Sequence, residues 1–225
     1  MYHTPAGAGR MLGALAAVID VVVPVRDHAA SLPPLLRDLP YRVLRSVVVI
    51  DRASSDRSAE IARDSGALVL REPSGGYGAA CLRAQAHFSS LPRVPDIVVF
   101  LPGDRPAAAA ILPALVAPIV ERAVELVVGA DGGRHRLTER VALGLIDTVY
   151  RHRWSGVGPV RAIKFPALVA LGMRDKGSGW DVEMLVRAVK LGLSCDEVAL
   201  PADAHREPKV GSRALLHILR HATMR

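Results

Sequence analysis

Aromatic residues make up only 4% of this 225-residue chain, and there are just two cysteines, Cys81 and Cys195. So few rings leave little for bases to stack on, which argues against a nucleic-acid partner. The cysteines show neither metal-ligand spacing nor a disulfide framework, so a reducing, cytoplasmic setting is expected. His135 and His205 have no second ligand at useful spacing. Long apolar runs are missing too. Met11 to Val25 is apolar apart from Asp20 but too short to span a bilayer, and its β-branched end, "AVIDVVVPV", favours a buried strand. The opening "MYHTPAGAGR" lacks a small-residue cleavage site behind an apolar stretch, so residues 1–17 read as a loose leader. No internal repeat is visible. The first strand-to-helix turn carries no glycine-rich, lysine-bearing signature of a nucleotidyltransferase.

What is present suits one α/β domain over residues 18–225. Hydrophobic residues are 50% of the chain, and the formal charge of +7 with a pI near 10.0 points to anionic partners. Strand-like runs at 18–25, 47–51, 67–71, 97–101 and 126–129 alternate with helix-like runs at 29–38, 56–65 and 109–122 and with one that the glycine turn "SGGYG" opens and that runs to about His87. That order predicts a mostly parallel sheet with helices on both faces. Beyond a nucleotide-binding part (18–130), the second part (131–211) opens with a polar loop, "DGGRHRLTER", and a helix near 141–151. "VGPVRAIKF" then reads as a strand, "DVEMLVRAVKLG" as an amphipathic helix stopped by Gly192, and "SCDEVAL" as a strand. Residues 212–225 place Ala214, Leu215, Ile218, Leu219 and Ala222 on one helical face, suited to packing on the sheet or resting on an anionic membrane surface.

Ligands of open parallel sheets bind at the C-terminal strand ends, near a switch in strand order. There the chain puts "PVRDH", "DRASSD", "EPSGGYG" and "PGDRP". Asp27, Asp51, Asp56 and Asp104 therefore gather beside Arg26, Arg52 and Arg105. The acids suit a base or ribose, and the basic groups or a metal suit a diphosphate. On residues alone, Asp56 also reads as a helix N-cap and Asp104 as a turn former between Pro102 and Pro106.

These blocks resemble the family 2 glycosyltransferases of the GT-A fold, in particular the small dolichyl-phosphate-mannose-synthase-like branch. A Pro-Ala-x-Asn-Glu pattern lies over Pro24, Val25, Arg26, Asp27 and His28. Asp-x-x-Ser-x-Asp is intact as Asp51, Ser54 and Asp56, and Gly-Tyr-Gly-Ala-Ala as 76–80. Further blocks run from Gly158 to Ile163 and from Gly172 to Met184. The resemblance covers roughly residues 18 to 215. It implies inverting transfer of a sugar from a UDP- or GDP-type donor to an anionic acceptor such as a polyprenyl phosphate. Pro24 to His28, Asp51, Ser54, Gly78, Gly103 and Asp104 would line the donor. Asp104 would hold Mg²⁺ or Mn²⁺ with Arg105 on the diphosphate. Arg161, Trp180, Glu183, Arg206, Lys209 and Arg213 would face the acceptor, with membrane contact at most peripheral. Four positions depart from the family: Pro102 replaces the first acid of Asp-x-Asp, His28 a glutamate, Gly156 an acid and Asp131 an arginine. The alternative is a non-catalytic relative that keeps the fold and binds nucleotide or a protein partner.

Overall fold

The computed structural model describes residues 17–130, 141, 143–144, 146–148, 151 and 153–201. The leader up to residue 16, the loop 131–140 with His135, and everything from 202 on lie outside the described residues. The C-terminal helix, His205, Arg206, Lys209 and Arg213 are therefore not placed.

Seven strands form one sheet in the order β3-β2-β1-β4-β6-β5-β7. They are β1 (Ile19–Val25), β2 (Ser46–Asp51), β3 (Leu68–Arg71), β4 (Ile97–Phe100), β5 (Leu126–Ala130), β6 (Arg161–Lys164) and β7 (Cys195–Ala199). The helices are α1 (Leu32–Arg37), α2 (Ser58–Asp64), α3 (Tyr77–Ser89), α4 (Leu112–Glu121), α5 (Phe165–Leu171) and α6 (Trp180–Lys190). All seven residues of β1 are buried, as a central strand covered on both faces requires. Side chains alternate between two cores. Val22, Val48 and Phe100 meet α3, α5 and α6 on one face, while Val23, Val49 and Leu101 meet α1 and α4 on the other.

The sheet is mostly parallel, as the sequence implies, but β6 runs antiparallel to both β4 and β5. Local details differ as well. The helix expected from Ala29 starts at Leu32, because Pro33 and Pro34 fit only its first turn, where backbone N–H groups need no partner. The run at Ala109 opens as a 3₁₀ helix, Pro106–Ile111, before α4. Helix α5 was not foreseen, although Pro166 inside its start and a left-handed Gly172 after its end (φ 59°) mark it in the sequence.

Parallel β1 and β4 are neighbours, yet the chain leaves β1 for β2 and β3 on one side before returning to β4 on the other. Their C-terminal ends therefore flank the switch in strand order. The N-terminal end of β1 carries a different feature. Asp20 is fully buried there, with Arg45 Nε and Ser46 Oγ donating to its Oδ1 at 3.0 and 2.9 Å.

Candidate active site

The β1 end and the β4 end are pressed together through Gly103. Its N–H donates to the Pro24 carbonyl at 3.3 Å, and Ser31 Oγ donates to its own carbonyl at 2.8 Å. A Cβ on Gly103 would sit 2.7 Å from Val25 Cγ1 and 2.8 Å from His28 Nδ1, so only glycine allows this approach. Pro24, Val25, His28 and Gly103 are thus one joint, and it sets where half-buried Asp104 and buried Arg105 emerge.

A second set of bonds ties the β1 end to the loop after β2. Asp27 adopts φ 57°, a left-handed conformation that Asp tolerates better than most residues. Its N–H donates to Ser54 Oγ at 3.1 Å, and its carboxylate accepts the Ser55 N–H at 2.7 Å and hydroxyl at 3.0 Å. Asp56 accepts the N–H of Ala29 at 2.9 Å and that of Ser58 at 2.9 Å. The Ser55 N–H and hydroxyl hold the Asp27 carboxyl below the ordinary range. At Asp56 desolvation pushes upward, but the Ser58 hydroxyl and the Ala29 and Ser58 N–H groups outweigh it, so its pKa is lowered as well. These bonds make both carboxylates part of the scaffold. Asp51 is 94% buried at the end of β2 and uses one oxygen on the Ser54 N–H, 3.0 Å away.

In the glycine turn before α3 the N–H groups of Gly76, Gly78 and Ala79 are taken within the protein. Gly76 and Ala79 donate to the Lys176 carbonyl at 2.8 and 3.1 Å, and Gly78 donates to that of Gly177 at 2.9 Å. A Cβ on Gly78 would lie 2.1 Å from the Asp175 carbonyl oxygen. Gly78 is therefore a seat for the 174–179 loop, which corrects its assignment to the donor. Gly78→Ala should push that loop away and lower stability by roughly 1–3 kcal/mol, measurable as a shifted denaturant midpoint.

Glu183 and Trp180 are fully buried, a correction to their expected place in an acceptor wall. Glu183 holds the same loop from below, accepting the N–H groups of Arg174 (3.0 Å) and Asp175 (2.8 Å) and Arg187 Nε (2.8 Å). Asp175 continues the support by accepting the N–H of Gly177 at 2.6 Å and of Gly179 at 3.2 Å. Arg161 is fully buried too, its guanidinium 3.1 Å from the Asp181 carboxylate and donating to the carbonyls of Gly158 and Val157. Its expected contact with an acceptor is thus replaced by an ion pair beneath the site. Asp181, which reads in sequence as a surface position, is the carboxylate brought in. Burial raises its pKa, opposed by the charges of Arg161 and Arg105 and reinforced by Asp175. Only the antiparallel β6, which carries Arg161 beside Phe100, makes that meeting possible.

No group of three His, Cys, Asp or Glu side chains among the described residues is placed to hold a metal. Pro102 is buried where the family motif has an acid, leaving the single carboxylate of Asp104. One carboxylate fits a Mg²⁺ or Mn²⁺ ion that completes its shell with diphosphate oxygens and water, and is too few to hold the ion beforehand.

A sheet of this order, with Asp51 and Asp104 at strand ends flanking its switch point, defines the glycosyltransferase GT-A fold. Against solved structures, the chain superposes on Mycobacterium tuberculosis glucosyl-3-phosphoglycerate synthase in complex with Mn²⁺, UDP and phosphoglyceric acid. The TM-score is 0.79 at 20% identity, over 99% of this chain and 85% of that one. The same enzyme in complex with Mg²⁺ and UDP gives 0.78 at 21% identity, over 98% and 85%. No family model matches the chain. Uncharacterized glycosyltransferases of Mycobacterium bovis and Mycobacterium tuberculosis are 32% identical over 206 residues, spanning 87% of this chain and 88% of theirs. The 4,4'-diaponeurosporenoate glycosyltransferase of Staphylococcus haemolyticus is 33% identical over 89 residues, 38% of this chain and 24% of that enzyme. The chain belongs to the glycosyltransferases.

Proposed function

We propose that this glycosyltransferase moves a sugar, with inversion, from a UDP- or GDP-type donor to an anionic acceptor. The placement of Asp51 and Asp104 on either side of the switch point carries this reading. Asp51 accepts from the nucleobase, the Pro24 to His28 segment shapes the nucleotide slot, and Arg105 faces the diphosphate. Asp104 would hold Mg²⁺ or Mn²⁺, which supplies charge neutralisation for the leaving diphosphate. That UDP, Mn²⁺ and phosphoglyceric acid are bound together by the synthase of similar fold supports a divalent ion and an anionic acceptor. A hydroxyl acceptor would need a general base to take its proton. A phosphate acceptor, such as the polyprenyl phosphate of the dolichyl-phosphate-mannose-synthase-like branch, is already ionised and needs none. Among the described residues no helix is long and apolar enough to cross a membrane.

Calorimetric titration with UDP, GDP and their sugar conjugates, with and without Mg²⁺ or Mn²⁺, tests the donor assignment. One nucleotide sugar is expected to bind more tightly with metal, while the metal alone gives no heat. If no nucleotide binds under either condition, the donor site is wrongly placed.

A further inference from the structure

Arg26 and Arg52 are not accounted for by the scaffold bonds above. They follow directly on β1 and β2, whose register pairs Val25 with Asp51, and the ladder continues as the Arg52 N–H donates to the Val25 carbonyl at 2.9 Å. Strand alternation puts both on the face of Val22 and Ile50, above α3. Among the described residues neither makes an ion pair. The adjacent acids are engaged elsewhere, Asp27 on Ser55 and Asp51 on Ser54. Arg52 is half-buried, and its Nε is shut off from solvent with no hydrogen-bond partner among the described residues. Desolvation and then the Arg26 charge lower the pKa of Arg52. Two arginines thus start from adjacent strand ends, near enough for the Arg26 charge to act on Arg52 and with no ion-pair partner among the described residues, and a phosphoryl group would relieve that repulsion while accepting from their donors.

We propose that Arg26 and Arg52 form a fixed cationic subsite for the phosphoryl groups of the donor nucleotide, so that donor binding has a component that needs no metal. This rests on the donor site proposed above. It also matches Pro102: a chain with one acid fewer for the metal has two arginines ready at the neighbouring strand ends. Arginine suits the task better than lysine, because its planar fork can grip two oxygens of one phosphate.

The test is titration of the full chain in EDTA with UDP, GDP, uridine, guanosine, inorganic pyrophosphate and phosphoglyceric acid. Wild type is compared with Arg52→Gln, Arg52→Lys and the Arg26→Gln/Arg52→Gln double variant, each first checked for an unchanged melting temperature. A nucleoside diphosphate should bind wild type without metal and be displaced by pyrophosphate. Affinity should fall by about tenfold or more in Arg52→Gln and further in the double variant, with a flatter salt dependence. Arg52→Lys should recover part of the loss, and nucleoside binding should not change. An equal loss for the nucleosides would overturn the proposal in favour of a base contact. A loss confined to phosphoglyceric acid would overturn it in favour of an acceptor contact. Nucleotide binding that vanishes in EDTA but returns with Mn²⁺ would refute it while leaving the donor site standing. Absence of binding in both conditions would remove both.

Discussion

Asp104→Asn is expected to lower kcat/KM by about a hundredfold or more and to abolish the stimulation by Mn²⁺. The substitution keeps the shape of the turn between Pro102 and the 3₁₀ helix, so the protein should melt at the same temperature. It removes the one carboxylate offered to an ion on the diphosphate. The reciprocal change, Pro102→Asp, restores a second acid at the motif. It should raise the apparent affinity for Mn²⁺ in the presence of donor. Initial rates over a metal titration separate the cases. A rate unchanged in Asp104→Asn would reduce Asp104 to a turn former. No gain in Pro102→Asp would show that the arginines have taken over the metal's share of the charge.

The second large effect concerns folding. Asp20 sits in the middle of the sheet with no solvent exposure, held by Arg45, which donates from Nε at 3.0 Å and from its terminal nitrogen, and by Ser46. Arg45 also donates to the Arg93 carbonyl, clamping β1 to the turn before β4. Asp20→Ala leaves a guanidinium that is only 30% exposed facing an apolar gap. Removing one partner of a buried pair costs about 3–5 kcal/mol, which corresponds to roughly 6–20 °C in melting temperature for a domain of this size. The double variant Asp20→Ala/Arg45→Ala should recover part of the loss, since no charge is then stranded. A single variant that melts within two or so degrees of wild type would mean that water already replaces the pair.

Much of this molecule was legible before any coordinates. The strand-like runs located six of the seven strands to within a residue or two, and for β1, β4 and β5, buried throughout, the signal is a continuous apolar stretch. Asp51, Ser54 and Asp56 could be placed at a strand end by the same logic. The positions misjudged were those whose meaning depends on a distant partner. Arg161 and Glu183 carry charge, and charge by itself reads as exposure. Nothing within ten residues of Arg161 announces Asp181, and Glu183 is buried because it accepts backbone N–H groups from a loop that precedes it.

The amino-acid sequence by itself determined the α/β class, the family blocks, including the glycines at 76, 78 and 103, and the loss of one motif acid at Pro102. Periodicity and residue chemistry are local, and these are local statements. Only the tertiary structure decided what each glycine makes room for, which strand runs backwards, and which charges are free for a ligand. Gly78 admits the Asp175 carbonyl, β6 enters antiparallel between β4 and β5, and Arg161 is spent on Asp181 while Arg26 and Arg52 have no ion-pair partner among the described residues. Close approach and charge pairing depend on distances between segments far apart in the chain, and those distances exist only once the sheet has closed its order.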